Sequence, residues 1–193
     1  PSLTDKIKTR YSNNFTGVFH DRYIKGLWVN AEGLIYKQFA DDVRKESAIR
    51  KDYFISREQA QEIKKDFVYI NVGLDFGGNK SNHALNATAI TKDWKVVCLK
   101  SDSFSAKDVR VDKLVNHVKK FCEEVTKLYG EIDGLYCDSA EQTLINTIRA
   151  NTDIRVYNSI KNVILDRIRT TELLMANKRI IFVEEDTEDL LNG

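Results

Sequence analysis

The sequence predicts an α/β domain, a mixed sheet of five or more strands flanked by helices. Three observations carry that expectation. From about residue 67, three short apolar stretches follow one another with only turn-length links. A long segment with apolar residues at helical spacing comes next. Beyond it, short strand-like runs alternate with helical ones.

The chain reads as two parts. Residues 1–66 are expected to form an N-terminal arm or linker that packs on the core, and residues 67–193 the core domain, truncated at its C-terminal end. Within the first part, Leu3–Tyr11 is weakly helical, and Tyr11-Ser12-Asn13-Asn14 reads as a turn. An aromatic-rich piece follows at Gly26–Tyr36. Ser56 to Asp66 reads as a short helix, because Ser56 and Gln59 have the spacing of a capping box.

In the second part the strands are expected at Val68–Phe76, Ala84–Ile90 and Lys95–Ser101. Asp93-Trp94 sits in the second link. Links this short make an antiparallel meander. A helix from about Ala106 to Tyr129 follows. Its Val111, Leu114, Val115, Val118, Phe121, Cys122, Val125 and Leu128 recur every three or four residues and form one apolar face. Gly130 is its stop signal. Next come a strand at Gly134–Asp138, a helix at Ala140–Ala150 with a Ser139/Gln142 capping-box spacing, and a strand at Ile154–Tyr157. A helix from Ser159 to Met175, a strand Arg179–Val183 and an acidic run Glu184–Asp189 complete the pattern.

Three antiparallel strands followed by crossover-connected strands is the ribonuclease-H arrangement. Right-handed crossovers place the Gly134–Asp138 strand beside, and parallel to, Val68–Phe76. Asp75 and Asp138 then end neighbouring strands, although 63 residues separate them. That is the position at which α/β sheets hold their ligands.

Composition narrows the partners. The 193 residues are 42% hydrophobic and 31% charged, a soluble globular profile. Net charge is +1 with a pI near 8.1, so a nucleic-acid surface has to be a local patch. No run approaches the ~18 apolar residues of a membrane helix, and no membrane partner is expected. Cys98, Cys122 and Cys137 are odd in number, far apart and in apolar contexts. They read as buried free thiols in a reducing compartment.

Asp75 closes an apolar strand, which reads as a buried carboxylate in need of a cation, N–H donors or a metal. Two carboxylates at one site repel, and a divalent ion removes that penalty. Oxygen ligands without a Cys/His cluster favour Mg²⁺ or Mn²⁺ over Zn²⁺. On a phosphodiester, two such ions would activate water and stabilise the leaving oxygen. The pattern leaves a plainer reading open, since aspartate also starts turns and helices. Gly77-Gly78-Asn79-Lys80-Ser81 invites a phosphate-cradle reading, and an aspartate-x-glycine-glycine turn also opens actin-like and sugar-kinase ATPases. Those folds need a duplicated domain and a second phosphate loop, which the sequence does not show. The Walker spacing is absent, and a tight hairpin explains both glycines. His20, His83 and His117 are lone histidines. His83 lies near the Asp75 turn and is a candidate substrate contact, whereas His117 reads as structural. Trp28 and Trp94 read as packing residues. Lys161, Arg167 and Arg169 put positive charge on the last long helix, as a solvated face or a phosphate contact.

Four stretches together resemble a known family. They are Gly26–Tyr36, Val72-Gly73-Leu74-Asp75-Phe76-Gly77-Gly78-Asn79-Lys80-Ser81, Tyr136-Cys137-Asp138-Ser139-Ala140-Glu141, and Lys161–Ile168 with Arg179–Val183. In order and spacing the chain is similar to the nuclease domain of the large terminase subunit of tailed phages. The first stretch resembles that family's link between ATPase and nuclease, the next two its metal motifs, and the last its late helix and strand. The resemblance implies a ribonuclease-H-like fold and metal-dependent cutting of double-stranded DNA concatemers. It makes Asp75 and Asp138 the catalytic, metal-holding residues, with Mg²⁺ or Mn²⁺ as cofactor. Lys80, Ser81, His83 and Lys161 are the candidate substrate contacts. The family's third carboxylate lies in a histidine-x-x-aspartate helix after the last strand. No such motif is present, so that ligand is expected beyond Gly193; Asp166 and the acidic tail offer carboxylates in other contexts. Implied partners are double-stranded DNA, an ATPase domain in the full-length protein, the terminase small subunit and the portal, in the host cytoplasm. The alternatives are an actin-like or sugar-kinase-type nucleotide-binding fragment and a non-catalytic DNA-binding module.

Overall fold

The computed structural model describes residues 53–190, apart from 79–80, 108–109, 139–140 and 189. The expectations for residues 1–52, Trp28 and His20 among them, lie outside the described residues, as do those for Lys80 and Ser139. Two compact units emerge, Ile55–Lys161 with Phe182–Gly193, and Pro1–Phe54 with Asn162–Ile181.

The elements are β1 (Phe54–Ile55), α1 (Arg57–Ile63), β2 (Phe67–Asp75), β3 (Asn82–Thr91), β4 (Val96–Ser105), α2 (Val111–Tyr129), β5 (Gly134–Cys137), α3 (Gln142–Asn151), β6 (Val156–Asn158), α4 (Ile164–Ala176) and β7 (Ile180–Val183). Strand order is β1-β7-β4-β3-β2-β5-β6. β2, β3 and β4 form the antiparallel meander, and β5 and β6 continue parallel from β2. This is the ribonuclease-H-like mixed sheet, with α2 and α3 as crossovers.

Alternation along the strands builds the core. Ile70, Val72 and Leu74 of β2, Leu85, Ala87 and Ala89 of β3, and Leu135 and Cys137 of β5 turn to one face. Leu114, Val115, Val118, Phe121, Cys122 and Val125 of α2 and Ile145 and Ile148 of α3 cover that face. Each large aliphatic buried there stabilises the fold by about 1.5–3 kcal/mol. Val97, Cys98 and Leu99 are buried in succession because the register slips by one residue opposite Ala87/Thr88.

Local signals behave as the chemistry requires. Ser56 Oγ accepts from Gln59 N at 3.2 Å while Gln59 Oε1 accepts from Ser56 N at 2.8 Å, the capping box of α1. Gly130 ends α2 with φ 127°, a conformation costly for any side chain.

Several boundaries differ from expectation. α2 starts at Val111 rather than Ala106, because β4 runs on to Ser105 and pairs Phe104 with His83. Val111 is consequently exposed in the first turn. α3 starts at Gln142, two residues later than expected, with Glu141 at its cap and no side-chain cap bond. α4 starts at Ile164, not Ser159: Ser159 N donates to Cys137 O at 2.8 Å and keeps the chain extended past β6. Trp94, expected to pack, is instead 69% exposed at the β3–β4 turn, with φ 61°.

Candidate metal centre

β2 and β5 run parallel in register, Leu74 opposite Cys137. Asp138 N donates to Leu74 O at 3.0 Å, which carries the ladder one step past β5. Asp75 and Asp138 therefore stand side by side, each one residue beyond that last register pair, on strands about 4.8 Å apart.

Their environment departs from expectation in one respect. Asp75 is exposed rather than buried. The alternation that sends Val72 and Leu74 into the core sends Gly73 and Asp75 to the opposite face. Its charge is solvated, so the cost of burial gives no reason for a compensating ion. What points to chemistry is the juxtaposition of two carboxylates. Asp138 is part-buried, and Lys161 Nζ lies 2.7 Å from its Oδ1. Lys161 reaches it from the extended segment before α4, not from the helix on which it was expected.

The turn after Asp75 is fixed from within. A Cβ on Gly77 would run into the carbonyl carbon and oxygen of Asn82, so only glycine fits. Gly77 N donates to His83 Nδ1 at 3.2 Å, and Gly78 N donates to Ser81 Oγ at 2.8 Å. Ser81 N closes the turn onto Gly78 O at 3.1 Å. Both glycine amides that a phosphate cradle needs are thus engaged inside the turn.

His83 is 5% exposed, between Phe76, edge-on at 6.1 Å, and Phe104 at 5.1 Å. Burial pulls its pKa below the usual imidazole value; the Asp75 charge opposes this, and His117 adds to the lowering. Phe104 stacks at 3.8 Å on His117, whose Nε2 is hydrogen-bonded to Asp102 Oδ2. Sequence reasoning missed this row because it ended the third strand at Ser101. The alternation of Asp102 and Phe104 on one continued strand was the available signal.

Other acids are engaged elsewhere. Asp186 takes a bidentate bond from Arg57 at 2.7 and 2.8 Å and another from Tyr129 Oη at 3.1 Å. Burial pushes the Asp186 carboxyl up, but its Arg57 and Tyr129 partners outweigh that and hold it below the usual range. Glu185 accepts from Arg57 N. Asp166 pairs with Arg169 within α4 at 3.5 Å. Among the described residues no group of three or more His, Cys, Asp or Glu side chains is placed to hold a metal. The three cysteines are buried and free, and burial pushes the thiols up, to about 12 for Cys98 and Cys122 and about 11 for Cys137. Two carboxylates, with a cation already drawn to one of them, are hard-oxygen donors of the kind that suits a hard divalent cation.

No family model and no curated protein matches the sequence. Solved structures do. The large terminase of a thermophilic bacteriophage aligns with TM-score 0.72 at 23% identity, over 98% of this chain and 43% of that one. The ADP complex of the same terminase aligns with TM-score 0.71 over 97% and 43%. The nuclease domain of the bacteriophage SPP1 large terminase, with bound Mn, gives TM-score 0.49 at 18% identity, over 67% and 68%. The chain thus spans less than half of the thermophilic phage protein, and the likeness shows a fold shared with part of a phage large terminase.

Proposed function

We propose that this chain carries the nuclease centre of a large terminase subunit, a metal-dependent endonuclease that cuts double-stranded DNA concatemers in a viral packaging motor. The observation that supports this most is the pairing of Asp75 and Asp138 on neighbouring parallel strand ends of this fold. The two carboxylates would hold Mg²⁺ or Mn²⁺, with further ligands drawn from water, substrate and a third carboxylate outside the described residues. Such ions supply Lewis-acid activation of a water and charge stabilisation at the leaving oxygen. Asp75 opens to solvent, where a polymer too large for a pocket can reach it. Lys161, next to Asp138, would meet a phosphate of the substrate. A net charge of +1 makes DNA affinity weak in isolation. Cutting then depends on an ATPase domain, small subunit and portal that keep DNA at high local concentration, in the cytoplasm of the host.

Nicking of supercoiled plasmid with Mn²⁺ and without ATP is the test. Wild type should nick, whereas Asp75→Asn and Asp138→Asn should not. Variants that nick like wild type would refute the assignment. DNA binding unchanged by metal, with no nicking, would identify a binding module instead, and micromolar ATP affinity by calorimetry would identify a nucleotide-binding fragment.

A further inference from the structure

The turn that leaves Asp75 has two glycines, and among the described residues two side chains fix it. Ser81 ties down Gly78, and His83 ties down Gly77. Gly77 is two residues from Asp75, so the orientation of its peptide governs the direction in which the chain departs from the carboxylate. The close approach of Gly77 to the Asn82 backbone leaves this peptide no room to drift. Its N–H has one acceptor, and that acceptor is an imidazole nitrogen rather than a backbone carbonyl.

We propose that His83 is a positioning residue for Asp75, its Nδ1 holding the Gly77 peptide and thereby the aim of the carboxylate. This rests on the reading of Asp75 as a metal-holding group. An acceptor at Nδ1 requires the neutral ring with its proton on Nε2. The ring is itself held. Phe76 meets it edge-on from the turn, and Phe104 packs on it from β4. Phe104 is backed by His117, which Asp102 anchors. A row of three rings therefore runs from α2 to the turn, and an ion pair or hydrogen bond at its far end sets its position. In this arrangement His83 touches the loop and not the substrate: its partnered nitrogen faces Gly77, and the residue is almost wholly buried.

Three variants separate this role from simple packing. His83→Asn sets an amide oxygen close to the Nδ1 position. His83→Gln sets one near Nε2. His83→Phe keeps the ring and removes the acceptor. Each is read by hydrogen exchange at the Gly77 amide, by Mn²⁺ affinity from calorimetry, and by melting to confirm folding. His83→Asn should keep the amide protected and the affinity within about twofold of wild type. His83→Phe and His83→Gln should lose roughly tenfold in both, the worth of one hydrogen bond. The opposite ranking, with Phe like wild type and Asn impaired, means packing alone and overturns the proposal. Imidazole nitrogen spectra of the wild-type protein add a test that needs no variant: a proton on Nδ1 overturns it as well. Asp75→Asn is the control for the underlying reading. If it binds Mn²⁺ as tightly as wild type, that reading falls and takes this one with it. If Asp75→Asn loses binding and His83→Phe does not, the role of His83 alone is refuted.

Discussion

If Asp138 holds a metal as proposed, Lys161 competes with it, and removing that side chain has a calculable consequence. Its Nζ lies 2.7 Å from Asp138 Oδ1, with the two side chains 55% and 31% exposed. At an effective dielectric constant of about 20 that distance suggests several kcal/mol of attraction. Both groups are substantially solvated, however, so the measured worth of such a pair is about 0.5–1 kcal/mol. A divalent ion binding Asp138 has to displace the ammonium and forfeits that amount. Lys161→Met should therefore tighten Mn²⁺ binding by about two- to fivefold. Isothermal titration at low salt is the assay, repeated near ~0.5 M salt, where screening should shrink the difference. Unchanged or weaker binding in Lys161→Met would refute the competition. In the same variant plasmid nicking at saturating Mn²⁺ should fall, because the phosphate contact is lost while the metal is not.

Three further outcomes follow from the structure. Arg57→Met should cost about 1–3 kcal/mol by removing the bidentate partner of the Asp186 carboxylate, 7% exposed, and leaving it the Tyr129 Oη bond. The Asp186 pKa is depressed in the folded state, so this contribution is present above its ordinary value of 3.8 and disappears as pH falls through the folded value; acid denaturation curves of variant and wild type should converge there. Gly77→Ala should destabilise by about 1–3 kcal/mol and weaken Mn²⁺ binding, since its Cβ meets backbone rather than a side chain that can move. A variant as stable as wild type would contradict the close approach. Cys98, Cys122 and Cys137 should resist a thiol reagent at about pH 8 in the folded protein and react together once it is unfolded, as burial holds all three protonated.

The helical face from Leu114 to Val125, the stop at Gly130, the Ser56/Gln59 cap and the order of β4, β3, β2 and β5 are all written in the sequence, whereas β1 and the place of β7 beside β4 are not. Each of the former depends on interactions within a few residues, or on the handedness that every crossover obeys. The neighbourhood of Asp75 and Asp138 was legible for the same reason: parallel register follows from topology once the strands are recognised. Exposure of Asp75 was not, because an apolar approach to a carboxylate looks alike whether it ends in the core or one step past it; the phase of the alternation decides, and only the packed sheet reveals which face is covered. Partner choice was equally hidden. Lys161 meets Asp138 because Ser159 prolongs a ladder beyond its expected end, and His83 meets Gly77 because β4 extends far enough to bring Phe104 behind it. Arg57 and Asp186 lie 129 residues apart and find each other through the fold alone. Periodicity and turn chemistry are short-range and survive in the sequence, whereas the pairing of distant polar groups is set by where the covered faces and strand ends come to rest, which is a property of the tertiary structure.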